Sequence, residues 1–181
     1  MKKWGKRIFI FLILLLIMAS SHPYLVLRDF HRQEQIGAVP LRLQDTFQIE
    51  WVHSVELTPW RETYKVTGLN KMELAETSFR SFGAGVPANF QDQRNVHVSV
   101  HDGWITVSGL REQRDQVLYL ISREDYMLSV GDRTWKLSSV LPLGTSLELS
   151  VSWYPWWYRY VHGLAKRGSE KIDEYAGTTA E

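Results

Sequence analysis

His53, Glu62 and Glu76 are the residues whose types could do proton chemistry together. An imidazole beside two carboxylates can act as a general acid or base, titrate as a coupled set, or ligate a metal. Which of these applies depends on the faces the three side chains occupy. Phe47, Ile49, Trp51 and His53 alternate with Gln48, Glu50, Val52 and Ser54. Trp60, Glu62, Tyr64 and Val66 alternate with Arg61, Thr63, Lys65 and Thr67. The second strand's polar set is plain, so Glu62 turns inward with Trp60 and Tyr64. A hairpin across residues 55–59 would set Trp51 opposite Tyr64, Ile49 opposite Val66 and His53 opposite Glu62. A second hairpin near Gly68–Asn70 would set Val66 opposite Leu74 and Tyr64 opposite Glu76, which brings Glu76 to the same inner cluster. A buried carboxylate is costly unless it is paired or hydrogen-bonded. Two readings stay open: a satisfied polar network that fixes register, or a pocket in which His53, Glu62, Tyr64 and Glu76 bind a ligand, with His53, Glu62 and Glu76 as catalytic candidates.

Other motifs narrow the chemistry. The sequence has neither His-x-His nor His-Glu-x-x-His, and no metal or other cofactor is expected. Ser54 adjoins His53 in a strand and points the other way, and no Gly-x-Ser-x-Gly elbow supplies another serine. His97 and His101 read as surface residues. Ser81-Phe82-Gly83-Ala84-Gly85-Val86-Pro87 is a small-residue loop leaving the strand of Glu76. Its backbone amides, with Ser81, Gly83 and Gly85, could cradle a small anionic solute. The competing reading is a tight bend between sheets.

The elements that must hold these residues are strands. Runs at period two recur between turn signals: Tyr24–Phe30, residues 96–100, Trp104–Ser108, Val117–Ile121, Met127–Val130, Thr134–Leu137 and Ser146–Trp153. Asp102-Gly103 between two β-rich runs marks a tight hairpin. The expected fold is all-β, an antiparallel β-sandwich, immunoglobulin-like or barrel-like. Before it stand a basic segment, Met1–Arg7, an apolar run, Ile8–Met18, and Ala19-Ser20-Ser21. That order is the pattern of an export signal, cleaved or kept as a transmembrane signal-anchor. The expected organisation is signal or anchor over 1–21, an extracytoplasmic domain over 22–153, and a tail over 154–181. An aromatic run, Trp153 to Tyr160, leads into the tail. A helix from Pro155 resting on a membrane and rings closing one end of the sandwich are both open readings.

Charge separates the segments. The chain has 21 Lys+Arg and 20 Asp+Glu. With Lys2, Lys3, Lys6 and Arg7 set aside, 17 basic residues face 20 acidic ones. That balance argues against a nucleic-acid partner. The absence of cysteine excludes disulfides, thiol catalysis and Cys-ligated metals.

The phrase Phe47–Tyr64 with its His53-Ser54-Val55, the run Leu74-Ala75-Glu76, the string Ser81–Pro87 and Leu141-Pro142-Leu143-Gly144-Thr145 together resemble an exported bacterial family, domain of unknown function 1850. The resemblance covers roughly residues 36–152. It implies an accessory role, because genes of this family commonly lie beside tripartite ATP-independent (TRAP) transporters of the TAXI type. The implied partners are a TRAP receptor or permease, with the membrane reached through the N-terminal helix. The resemblance brings no catalytic residues. The expected function is thus a non-catalytic accessory or binding module of solute uptake, exported to the extracytoplasmic face of the cell membrane or secreted. An extracytoplasmic enzyme using His53, Glu62 and Glu76, or a structural envelope domain, are the alternatives.

Overall fold

A computed structural model describes residues 2–81 and 95–157. Helix α1 (Lys2–Ala19) comes first. Its basic residues occupy the first turns, which leaves the apolar run Ile8–Met18. At about 1.5 Å per residue that run is roughly 16 Å long, about half the ~30 Å hydrocarbon core of a bilayer. Among the described residues no helix is long and apolar enough to cross a membrane, so the expected transmembrane anchor is not met. The run does not fold back onto the strands: Ile8 to Leu16 are all exposed.

The strands follow as β1 (Ser21–Asp29), β2 (Glu34–Pro40), β3 (Thr46–Val52), β4 (Pro59–Gly68), β5 (Lys71–Phe79), β6 (His97–His101), β7 (Trp104–Arg114), β8 (Gln116–Leu120), β9 (Met127–Val130), β10 (Arg133–Lys136) and β11 (Ser146–Pro155). They make two antiparallel sheets, ordered β2-β1-β11-β8 and β10-β9-β3-β4-β5-β7-β6. Both faces that meet are apolar. Leu25, Leu27, Leu147, Leu149 and Val151 of the smaller sheet pack against Phe47, Ile49, Val66, Met72 and Leu128 of the larger. Full burial of each such side chain contributes about 1.5–3 kcal/mol. The sandwich inferred from alternation is therefore present, and the Asp102-Gly103 hairpin forms with both residues in the left-handed region that such a turn requires (φ 48° and 74°).

Register departs from expectation in two places. Trp51 lies opposite Trp60, Ile49 opposite Glu62 and Phe47 opposite Tyr64. Relative to the expected pairing the strands have slid by four residues, an even number, so every side chain keeps its face and changes its partner. The cause is the turn. His53 N–H donates to Thr58 O and Leu57 N–H to His53 O, both at 2.9 Å, with Leu57 at φ 53°. His53 thus closes the turn instead of facing Glu62. The second departure is a bulge between β4 and β5. Tyr64 pairs with Leu74 but Thr63 pairs with Glu76, which leaves Ala75 over. The extra residue puts Glu76 on the outer face beside Thr63.

Opposite Ala75, β7 also bulges: Leu74 pairs with Glu112 and Glu76 with Ser108, so Gly109, Leu110 and Arg111 span the gap. Gly109 sits at φ 80°, and a Cβ there would lie 2.1 Å from the Asn95 carbonyl oxygen. Only glycine fits. At the other end of the domain, Pro155 is the last residue of β11, opposite Ser21, and does not begin a helix. Tyr154 packs edge-on against buried Tyr24, with ring centroids 6.0 Å apart. The remainder of the tail, 158–181, lies outside the described residues.

Candidate functional site

Three inward residues of the larger sheet's central hairpin, Trp51, Glu62 and Tyr64, meet Tyr119 from β8 of the smaller sheet. The Glu62 carboxylate is opposite Ile49 and would be costly there unpartnered. Two phenols answer it. Tyr64 donates to Glu62 Oε2 at 2.7 Å, and Tyr119 donates to the same oxygen. The two phenol oxygens are 2.9 Å apart. Two protons serve three oxygen–oxygen contacts, so only two of the contacts are hydrogen bonds at any instant. Because Tyr119 comes from the opposite sheet, this cluster is a polar cross-link between the layers. Burial, and then the neighbouring Glu62 charge, push the ionisation of both Tyr64 and Tyr119 well above the usual phenol range.

Around this link the rings form a continuous stack. His53 lies on Trp60 (centroids 5.3 Å, planes 30° apart), and Trp60 lies on Phe79 (5.0 Å, 27°) and Trp51 (6.2 Å, 29°). Trp51 continues to Tyr119 (5.5 Å) and, nearly parallel, to Tyr126 (6.1 Å, 7°). Such pairs add about 0.5–1.5 kcal/mol each beyond burial. His53, Trp51, Trp60 and Tyr119 are only partly buried, so the stack reaches the surface. Within it the Trp60 indole N–H is buried and, among the described residues, has no acceptor. That departs from the rule that buried donors are satisfied.

Glu56 N–H donates to His53 Nδ1 (3.3 Å), so that nitrogen is an acceptor and the ring proton sits on Nε2. Ser81 Oγ donates to Glu56 Oε2 (3.2 Å), which ties the end of β5 to the same turn. Of the expected site residues, His53, Glu62, Tyr64 and Ser81 therefore gather around the central hairpin and its turn. Glu76 does not: it accepts from Ser78 Oγ (3.4 Å) on the outer face, so the three-residue acid–base set is not assembled. Gly83 and Gly85 lie outside the described residues. His97 and His101 are exposed on β6. Among the described residues no three His, Asp or Glu side chains are grouped as metal ligands.

Tyr119, Trp60 and Tyr126 were not among the expected site residues. The run Val117–Ile121 is apolar at every position except for the one hydroxyl of Tyr119, and that hydroxyl, beside an inward Glu62, was the available signal.

A family model described as "Domain of unknown function (DUF1850)" matches residues 47–137. The chain belongs to the DUF1850 family. No curated protein and no solved structure matches it. The DUF1850 segment contains His53, Trp60, Glu62, Tyr64, Ser81, Tyr119 and Tyr126, so the cross-link and the stack lie wholly within the shared region. It ends ten residues before Leu147, and the smaller sheet owes β1, β2 and β11 to chain outside it.

Proposed function

We propose that this DUF1850 protein is an exported, non-catalytic binding module that works at the extracytoplasmic face of the membrane as an accessory to TRAP-type solute uptake. The observation that carries the binding reading is the Trp60 indole N–H, a donor that has no acceptor among the described residues, inside an aromatic stack that opens to the surface. A flat solute with a hydrogen-bond acceptor would supply what that donor lacks and lie along rings already aligned. The small anionic solute expected from Gly83 and Gly85 keeps only those amides in its favour, because the carboxylates described at the site, Glu62 and Glu56, are acidic. The non-catalytic reading is supported by the outward turn of Glu76 and by the engagement of His53 Nδ1 with the turn. The basic-then-apolar order of α1 supports export, as a cleaved signal or as a segment held at the membrane surface. The TAXI-type association of the resemblance supports a receptor or permease as partner.

The test has two parts. A thermal-unfolding screen of the full chain in nonionic detergent against aromatic and heterocyclic acids, amides and amino acids should find a stabilising solute. At ~100 times its dissociation constant it adds about 2.7 kcal/mol, and Trp60→Phe abolishes the effect. Gentle detergent pull-down with the N-terminus intact should recover a TRAP receptor or permease. A chain that no solute stabilises and that retrieves neither subunit overturns the proposal.

A further inference from the structure

A cleft elsewhere on the domain shares no residue with the aromatic stack. It is a half-open cleft of about 380 Å³ whose walls include His22, Tyr24, Leu41, Arg42, Asp45 and Trp156. None of these falls within residues 47–137, so the cleft lies outside the matched family segment. Its frame is built. Tyr24 is buried, Leu41 N–H donates to Pro23 O at 2.9 Å, and Trp156 N–H donates to Ser20 O at 2.9 Å.

The turn from β2 to β3 supplies the charges. Arg42 N–H donates to Asp45 Oδ2 (2.8 Å) and Asp45 N–H to Arg42 O (3.1 Å). The backbone thus holds the two residues together while their charged ends stay apart: among the described residues, Arg42 and Asp45 form no ion pair with each other or with any other side chain. One cleft therefore presents an uncommitted guanidinium, an uncommitted carboxylate oxygen and an indole. A purely anionic ligand would meet Asp45 and a purely cationic one would meet Arg42. A zwitterion satisfies both: its anion takes the forked donors of Arg42, and its ammonium takes Asp45 and the face of Trp156.

Size and place select the zwitterion. The volume equals that of about a dozen waters at ~30 Å³ each, which suits a head group and not a whole lipid. The cleft lies at the base of α1, since Ser20, whose carbonyl anchors Trp156, directly follows the helix. We infer that this cleft binds a phosphoethanolamine head group, phosphate on Arg42 and ammonium on Asp45 and Trp156. The choice of a lipid as source rests on the membrane-side placement proposed above; the chemistry of binding does not.

The experiment is calorimetric titration of the full chain in nonionic detergent with three probes: glycerophosphoethanolamine, glycerophosphate, which lacks the ammonium, and alanine, which lacks the phosphate. Glycerophosphoethanolamine should bind one to one and at least tenfold more tightly than either of the others. Arg42→Gln should weaken it by tenfold or more. Asp45→Asn keeps an oxygen for the Arg42 N–H; it should weaken glycerophosphoethanolamine yet tighten glycerophosphate. Absence of glycerophosphoethanolamine binding, alanine binding as tightly, or Asp45→Asn shifting both phosphate probes in the same direction overturns the inference. None of these results bears on the Trp60 site, whose variants and ligands are different.

Discussion

Replacing both Tyr64 and Tyr119 by phenylalanine should flatten the alkaline limb of the protein's stability curve. A tyrosine in the unfolded chain ionises near pH 10. In the folded protein, burial first and the Glu62 charge second hold both phenols protonated well above that. The folded-state values are raised, so this contribution is fully present below pH 10 and is lost as the pH climbs above it, when the unfolded chain sheds protons that the native state keeps. Between pH 9 and pH 11 each tyrosine held in this way lowers the unfolding free energy by about 1.4 kcal/mol, and the pair by about 2.7 kcal/mol. Groups common to both proteins, Tyr126 among them, cancel in the difference. The assay is urea unfolding followed by tryptophan fluorescence at pH 9, 10 and 11, with the denaturant slope checked for constancy. Wild type should lose about 2.7 kcal/mol more than the Tyr64→Phe/Tyr119→Phe protein across that window. The double variant should also start lower at pH 7, by about 1.5–3 kcal/mol for each bond it removes from the carboxylate. Equal losses from pH 9 to pH 11 would refute the cross-link between the sheets.

Other perturbations test the remaining geometry. Glu62→Gln should cost about 1.5–3 kcal/mol, because it weakens two charge-assisted bonds, while Glu76→Gln on the outer face should stay within about 0.5 kcal/mol; chemical denaturation of the two variants side by side reads the parity directly. Gly109→Ala should cost more than the ~1–3 kcal/mol of a left-handed residue alone, since its methyl would press on Asn95 O, and calorimetry should show a melting point lowered by several degrees. His53→Ala should lower stability by about 1–2 kcal/mol through the lost acceptor for Glu56 N–H and the lost ring on Trp60. Restoring an acceptor with His53→Asn should recover part of that loss in the same denaturation assay.

The faces were legible because period-two alternation is enforced wherever one side of a sheet is buried: Trp60, Glu62, Tyr64 and Val66 do point inward together. Partners were not legible, because any even slide preserves faces and the loop at 53–58 selects among them through Leu57's backbone, which nothing in its side chain announces. Glu76 turned outward because of Ala75, an unremarkable residue. The clue to that bulge lay two strands' worth of sequence away, in Gly109 and its need to pass Asn95. β2 escaped notice because Gly37 interrupts a short run in which only Ile36 and Ala38 are buried. Tyr119 escaped because a strand apolar at nearly every position conceals which side faces in until Leu147 is placed against it.

The first and last strands lie side by side along their whole length, from Ser21 opposite Pro155 to Asp29 opposite Leu147. A ribosome must therefore finish residues 146–155 before the smaller layer can close, and β8 has no neighbour in that layer until they arrive. The growing polypeptide cannot complete its two-layer form until β11 has emerged. The same zipper delivers both ends of the domain to one spot, so a tag or fusion attached after Trp157 will emerge next to α1 and report on whatever surrounds that helix.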